Sequence, residues 1–269
     1  MKRIAITIFI LFALTYNVLA VKEVYDINTM AVYTLNNTRV DATGNFSPLT
    51  SLGAVSFVTD KVNKSPYSHQ VTSTINALKF PADLVNALAT KTQFTISGWF
   101  ATIDVNLRIW YPMLEALRHD TMPVDRANPM FGFTVFPNQN LSPDGKTMII
   151  YGVHGSTRGN TYTYPNTLGW VRLNFEWTGT EYRLFLNGIL IYTYSSSINV
   201  FVDMPAANYP GIGHETYFNT YSDKGRYDYF VISDTLRNGA DVEPIIVQEI
   251  QYFKDEDMKY FKLNDMNSN

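Results

Sequence analysis

The chain of 269 residues has no cysteine. That excludes disulfides, thiolate metal sites and cysteine nucleophiles, and leaves the fold to be held by its core alone. Histidine is scarce, with four in the chain and no cluster at zinc-binding spacing. Neither sign of charge is in large excess. Lys and Arg number 21, Asp and Glu 24, and the formal net charge is -3. No basic run points to nucleic acid, and no long acidic run points to a solvating tail. Beyond the N-terminus, no apolar run is long enough to cross a bilayer as a helix. The polar ending KLNDMNSN lacks the hydrophobic tail of a lipid-anchor signal. Internal repeats and long linkers are also lacking.

What is there begins with an address. Lys2 and Arg3 precede an apolar run over 4–14, and Val18-Leu19-Ala20 offers a cleavage site. That layout predicts a signal peptide over 1–20 and a secreted product. Four sequons begin at Asn36, Asn45, Asn63 and Asn140, the last three with Pro directly after them.

The plainest fold signal spans 170–194, WVRLNFEWTGTEYRLFLNGILIYTY. Val171, Leu173 and Phe175 alternate with Arg172, Asn174 and Glu176. After Thr178-Gly179-Thr180, Tyr182, Leu184 and Leu186 alternate with Arg183 and Phe185, and Asn187-Gly188 turns the chain back. Period-two alternation broken by Gly-bearing turns predicts antiparallel strands with one buried face. Asn-Gly predicts a two-residue hairpin, because both positions tolerate positive φ.

Further strands are predicted near 31–35, 54–58, 77–80, 92–100, 131–136, 147–153, 211–214 and 225–232. Residues 81–88 carry helical spacing at Leu84, Val85 and Leu88. Pro112 predicts a bulge or an edge position within an extended 107–116. Residues 155–167 read as a Gly/Tyr/Thr-rich loop, 200–205 as a short extended piece, and 241–250 as ending in a short helix. Many short strands with little helix imply an all-β domain, a two-sheet antiparallel sandwich or jelly roll. One domain over 21–250 and a polar tail over 251–269 is the simplest division.

In order, the chain carries F-T-I-S-G-W at 94–99, W-V-R-L at 170–173, Y-R-L-F-L-N-G at 182–188, G-I-G at 211–213 and Y-D-Y-F-V-I at 227–232. Upstream lies Asp41-Ala42-Thr43-Gly44-Asn45. This ordered set resembles the laminin G-like jelly-roll domains of the concanavalin A-like lectin/glucanase superfamily. The likeness spans about 31–242. Tyr229 departs from the family pattern, which carries an acidic residue after the position of Asp228, and residues 106–128 are elaborated. The resemblance implies two sheets packed face to face and a member that binds glycans, binds proteins or cleaves polysaccharides. Fold alone does not choose among these.

Glycosidases on this scaffold need paired carboxylates facing one sugar. The family's E-x-D-x-x-E is absent, and Glu176 stands alone in its strand. The lyase R-x-E-L-R pattern is absent too, although Tyr151, His154 and Arg158 lie close together. One histidine by itself makes no general acid–base system. Calcium has candidate oxygen ligands in Asp41 and Asn45, and the family layout adds Asp228. The alternative for Asp41 and Asn45 is an Asx-type turn. Glycan contact has candidates in Trp110, Tyr111, His154, Arg158, Asn160, Tyr162 and Tyr164. Stacking rings beside hydrogen-bonding groups suit sugars, and loops on a rigid sandwich often hold function. Trp99, Trp170 and Trp177 read as packing residues.

The expectation is a secreted, non-catalytic binding domain for glycan or glycoprotein. The alternatives are a structural protein of a surface layer, matrix or virion, whose sheet edge could pair with another copy, and a polysaccharide-cleaving enzyme with an unfamiliar site. Neither nucleic acid nor a membrane span of the mature chain is expected.

Overall fold

The computed structural model describes residues 20–54, 56–59, 68–70, 77–102, 111–117, 130–138, 147–154, 157–165, 170–204, 206, 209–212, 225–242 and 245–249. Residues 27–242 form one compact unit. The chain ends, 1–26 and 243–269, form another, whose described part is β1 (Ala20–Val24) paired antiparallel with β17 (Ile245–Glu249).

The larger unit opens with β2 (Thr29–Tyr33), β3 (Thr50–Leu52), β4 (Ser56–Val58), β5 (Ser68–Gln70) and β6 (Ala77–Lys79). A helix, α1 (Ala82–Ala89), leads into β7 (Phe94–Thr102). Then come β8 (Tyr111–Leu117), β9 (Met130–Asn138), β10 (Thr147–His154) and β11 (Thr157–Pro165). The central hairpins are β12 (Val171–Trp177), β13 (Glu181–Leu186) and β14 (Ile189–Ser195). The unit closes with β15 (Gly211–Ile212) and β16 (Gly225–Ser233).

These strands make two sheets. One runs β11-β10-β9-β8-β15-β6-β3. The other runs β14-β13-β12-β7-β16-β5-β4, with β2 also paired to β16. The described pairings are antiparallel. The two-sheet antiparallel sandwich expected from the alternation is the fold. Its core draws on both sheets, with Leu78 and Ile212 from the first and Phe94, Ile96, Leu173, Phe175, Leu184 and Phe230 from the second. The odd positions of β12 all enter this core, as the period-two pattern requires. Phe94 anchors an aromatic cluster, 5.3 Å from Phe201 and 5.7 Å from Trp177 between ring centroids. Asn187 and Gly188 take φ values of 47° and 85°, the primed turn that suits a two-residue hairpin. In α1, Leu84, Val85 and Leu88 are buried, as their spacing predicts.

Several local expectations are corrected. Residues 157–165 are strand β11; Thr and Tyr suit a pleated edge, and pairing with β10 outweighs the glycine at 159. Residues 245–249 are strand, not helix, because β1 supplies a partner. Residues 200–203 are turn. At Pro112 the bulge alternative holds and the edge alternative does not: the register shifts between Pro112 and Leu114, and β8 lies between β9 and β15. The first strand of the sandwich is Thr29–Tyr33, slightly before the expected 31–35.

Candidate functional site

Asp41 is buried in the turn after β2. Its Oδ1 accepts the amides of Val32 at 2.8 Å and Thr43 at 3.0 Å. Its Oδ2 accepts the Thr43 hydroxyl at 2.7 Å and the amides of Asn45 and Phe46, both at 3.0 Å. Asn45 in turn donates its Nδ2 to the Met30 carbonyl at 3.1 Å. Five donors aimed at one carboxylate fill the lone-pair positions a cation would need. Calcium therefore does not fit at Asp41 and Asn45, and the Asx-turn alternative describes them. Asp228 is buried in β16, opposite Trp99 in register. Among the described residues, no group of three or more His, Cys, Asp or Glu side chains could hold a metal ion.

The sequence-selected glycan contacts divide. Trp110 lies outside the described residues. Tyr111 opens β8 opposite Val135, away from β11 in strand order. His154 ends β10 opposite Thr157, and Arg158 lies opposite Val153. Asn160 falls within the register shift between Val153 and Tyr151. Tyr162 and Tyr164 lie opposite Ile150 and Met148. The shift breaks the alternation, so positions 158 and 162 fall on opposite faces of the sheet. The expected loop is thus an edge strand over 157–165, with its two tyrosine positions on one face.

β11 ends one sheet, β14 ends the other, and the two strands approach each other. On β14, Tyr192 and Tyr194 are half-buried and pack against the core, opposite Leu184 and Tyr182. Alternate positions put both rings on one face. Burial pushes the Tyr192 phenol above its ordinary value, and the neighbouring Tyr194 adds to the rise. Two adjoining phenols with partly exposed rings, at an edge beside β11, offer flat apolar surface and hydroxyls together. The sequence does not single out Tyr192 and Tyr194, because they fall in the regular continuation of the hairpin. Ile189 and Leu190, next to them, are exposed.

A second polar cluster lies on the opposite face of the same sheet. Outward from β12 point Arg172, Asn174 and Glu176, next to Trp99, Ser97 and Thr95 of β7 in register. A strap, residues 234–241, covers them. Glu176 Oε1 accepts the amides of Arg237 at 3.1 Å and Gly239 at 3.3 Å. Asn174 Nδ2 donates to the Ala240 carbonyl at 2.9 Å, and Arg172 Nη2 to that of Gly239 at 2.6 Å. Arg172 also pairs with Asp241 at 3.2 Å and lies 5.8 Å from the Trp99 ring centroid. Glu176, read as a lone carboxylate in a strand, is in fact fully buried and holds the strap in place.

No protein-family model matches the chain, and no curated protein matches it in sequence. Solved structures share the fold. Domain 4 of AbnA, an extracellular arabinanase from Geobacillus stearothermophilus, in complex with arabinotriose, is 17% identical with a TM-score of 0.51. That match covers 77% of this chain and 92% of the arabinanase domain. A sialidase from Trypanosoma rangeli, in complex with 2,3-difluorosialic acid, is 11% identical with a TM-score of 0.57, over 80% of this chain and 32% of the sialidase. A botulinum neurotoxin type C structure is 11% identical with a TM-score of 0.49, over 78% of this chain and 49% of that one. The chain thus spans about a third of the sialidase and half of the neurotoxin chain. The likeness to the arabinanase domain and the sialidase is one of fold, a β-sandwich.

Proposed function

We propose that the protein is a secreted, non-catalytic, laminin G-like sandwich that binds glycan at the edge formed by β11 and β14. The observation that carries this reading is the Tyr192–Tyr194 pair: two half-buried rings on one face, with adjoining hydroxyls, beside the strand that holds Tyr162 and Tyr164. A tyrosine offers an apolar body and a polar tip, which suits a sugar's apolar face and its hydroxyls. The arabinanase domain of like fold, with arabinotriose bound, supports a glycan as ligand class. Among the described residues, Asp41 and Glu176 are buried and used in turn and strap contacts. Carboxylates committed to backbone donors in this way serve the fold, which favours binding over hydrolysis.

The test is a glycan array of the mature protein that includes arabino-oligosaccharides, followed by titration of Tyr192→Ala and Tyr194→Ala. Each variant is expected to lose about tenfold or more in affinity, equivalent to about 1.4 kcal/mol. An Ile189→Thr variant should keep its affinity. Failure to bind any glycan overturns the ligand class. Binding that survives both tyrosine changes overturns the location. New reducing ends from mixed polysaccharides would overturn the non-catalytic assignment.

A second reading rests on Ile189 and Leu190, 61% and 49% exposed at the start of edge strand β14. Such an edge favours pairing with another chain in a surface layer or matrix. Light scattering at high concentration separates the two readings, since a strict monomer counts against the second.

A further inference from the structure

Four buried polar atoms on the strap-covered face have no hydrogen-bond partner among the described residues: Trp99 Nε1, Arg172 Nε, Asn174 Oδ1 and Glu176 Oε2. Trp99 and Arg172 are cross-strand neighbours, and Asn174 and Glu176 follow at alternate positions on the same face of β12. Asn174 and Glu176 are fully buried. The other atom of each group is already used. Asn174 Nδ2 is held by the Ala240 carbonyl, which fixes the amide orientation. Glu176 Oε1 lies within reach of the Arg237 and Gly239 amides and the Thr95 hydroxyl. Trp177 Nε1 is also without a partner, but it lies on the core face and belongs to a different environment.

The chemistry of the four atoms selects the ligand. An indole N–H and a guanidinium Nε–H only donate; an amide oxygen and a carboxylate oxygen only accept. A cation would satisfy the two acceptors and leave the donors orphaned. An anion would do the reverse. Arg172 and Glu176 stand about 13 Å apart along β12, so more than one molecule is needed. Molecules that both donate and accept satisfy all four atoms, and at near-zero atomic exposure each has to be small. Four orphaned groups would together cost a large part of a domain's net stability.

We propose that the strap closes over a buried water site on the outer face of the larger sheet, with water accepting from Trp99 and Arg172 and donating to Asn174 and Glu176. The waters complete the clasp: side chains on β12 hold the strap's backbone with one polar atom each and hold water with the other. This site is independent of the glycan edge, which lies at the margin of the sheet on its core-facing side.

The test uses the full chain labelled with nitrogen-15. The Trp99 indole proton, assigned with Trp99→Phe, is expected to show a cross-peak to a long-lived water. A high-resolution crystal structure should place ordered waters within hydrogen-bond distance of Asn174 Oδ1 and Glu176 Oε2. In Gly239→Ala, whose Cβ would collide with Phe185 and Gly188 and is expected to lift the strap, exchange of the Trp99 indole proton should quicken by about tenfold or more. The proposal is overturned if the indole proton shows no contact with water, if crystal density shows the four atoms paired to protein, or if Gly239→Ala opens the strap without changing that exchange.

Discussion

The ring of Phe230 rests on Gly98. A Cβ at position 98 would lie 2.6 Å from Phe230 Cε1 and 2.8 Å from Cδ1 and Cζ. The contact exists because β16 bulges there: Asp228 pairs with Trp99 and Val231 with Ser97, so two residues face Gly98. Tyr229, the first of the two, takes φ 53° while buried. A left-handed backbone at an aromatic residue is strained and persists only where its surroundings impose it. Gly98→Ala is therefore expected to destabilise by about 1–3 kcal/mol through overpacking. Phe230→Leu in the same chain should recover part of that cost by shortening the intruding ring. Urea unfolding of the two variants checks this, and an unchanged midpoint for Gly98→Ala would refute the contact.

Asp41→Ala removes the acceptor for four amides and a hydroxyl at once. Stranded buried donors cost about 1–3 kcal/mol each when not rescued by water. A loss of about 3 kcal/mol or more is expected, among the largest for a single change outside the core. Because the carboxylate is filled by donors, millimolar calcium should leave the melting temperature of the wild type unchanged. A calcium-dependent rise that Asp41→Ala abolishes would reverse the assignment.

The acid and alkaline limits of stability have named contributors. Burial raises the Asp83 pKa, but hydrogen bonds from the Ser47 hydroxyl, the Ser47 amide and the Leu84 amide outweigh it, so the carboxyl sits below its ordinary 3.8. A depressed folded value means stability that is present above about pH 4 and lost as pH falls through that value. The gap in melting temperature between wild type and Asp83→Asn should close as pH drops below 4.

At the other end, burial lifts the Tyr33 phenol well above 10.0, with Asp41 and Asp83 adding to the rise. A raised folded value means stability present below pH 10 and lost as pH rises beyond it. Tyr33→Phe forfeits the bond to the Ser47 carbonyl at neutral pH, but should lose less than wild type above pH 10. Parallel pH–stability curves would sink both assignments.

The fold was largely legible because its signals are local and mutually consistent. The alternation of Val171, Leu173 and Phe175, the Asn187-Gly188 turn and the Leu84–Val85–Leu88 spacing each point to one burial pattern. What was not legible depends on distant partners. Residues 157–165 became strand through pairing with β10, and 245–249 through pairing with β1. Glu176 read as an isolated carboxylate because its partners, Arg237 and Gly239, lie 61 and 63 residues away. Tyr192 and Tyr194 carry no local sign of their exposure, because it follows from the ending of the sheet at β14.

Two glycines of nearly equal φ offer a matched measurement of how firmly the strap is docked. Gly44 has φ 75° and nothing within 4 Å of where a Cβ would sit. Gly239 has φ 76°, but its Cβ would lie 2.7 Å from Phe185 Cδ1 and 3.0 Å from Gly188 Cα and O. Alanine at either position incurs the same left-handed strain, about 1–2 kcal/mol. Gly239→Ala adds a collision with backbone that cannot rotate away, so it should cost about 1–3 kcal/mol more than Gly44→Ala. The excess reports the strap alone, because Gly188 and Phe185 belong to the hairpin on which the strap sits. A strap that lifts to relieve the clash would surrender the Gly239 and Ala240 carbonyl contacts with Arg172 and Asn174. Hydrogen exchange should then quicken at the Arg237 and Gly239 amides, which donate to Glu176, while the Asp41 turn stays protected. Equal costs for the two alanine variants, with unchanged exchange at 237 and 239, would mean that the strap is not held against the hairpin in solution.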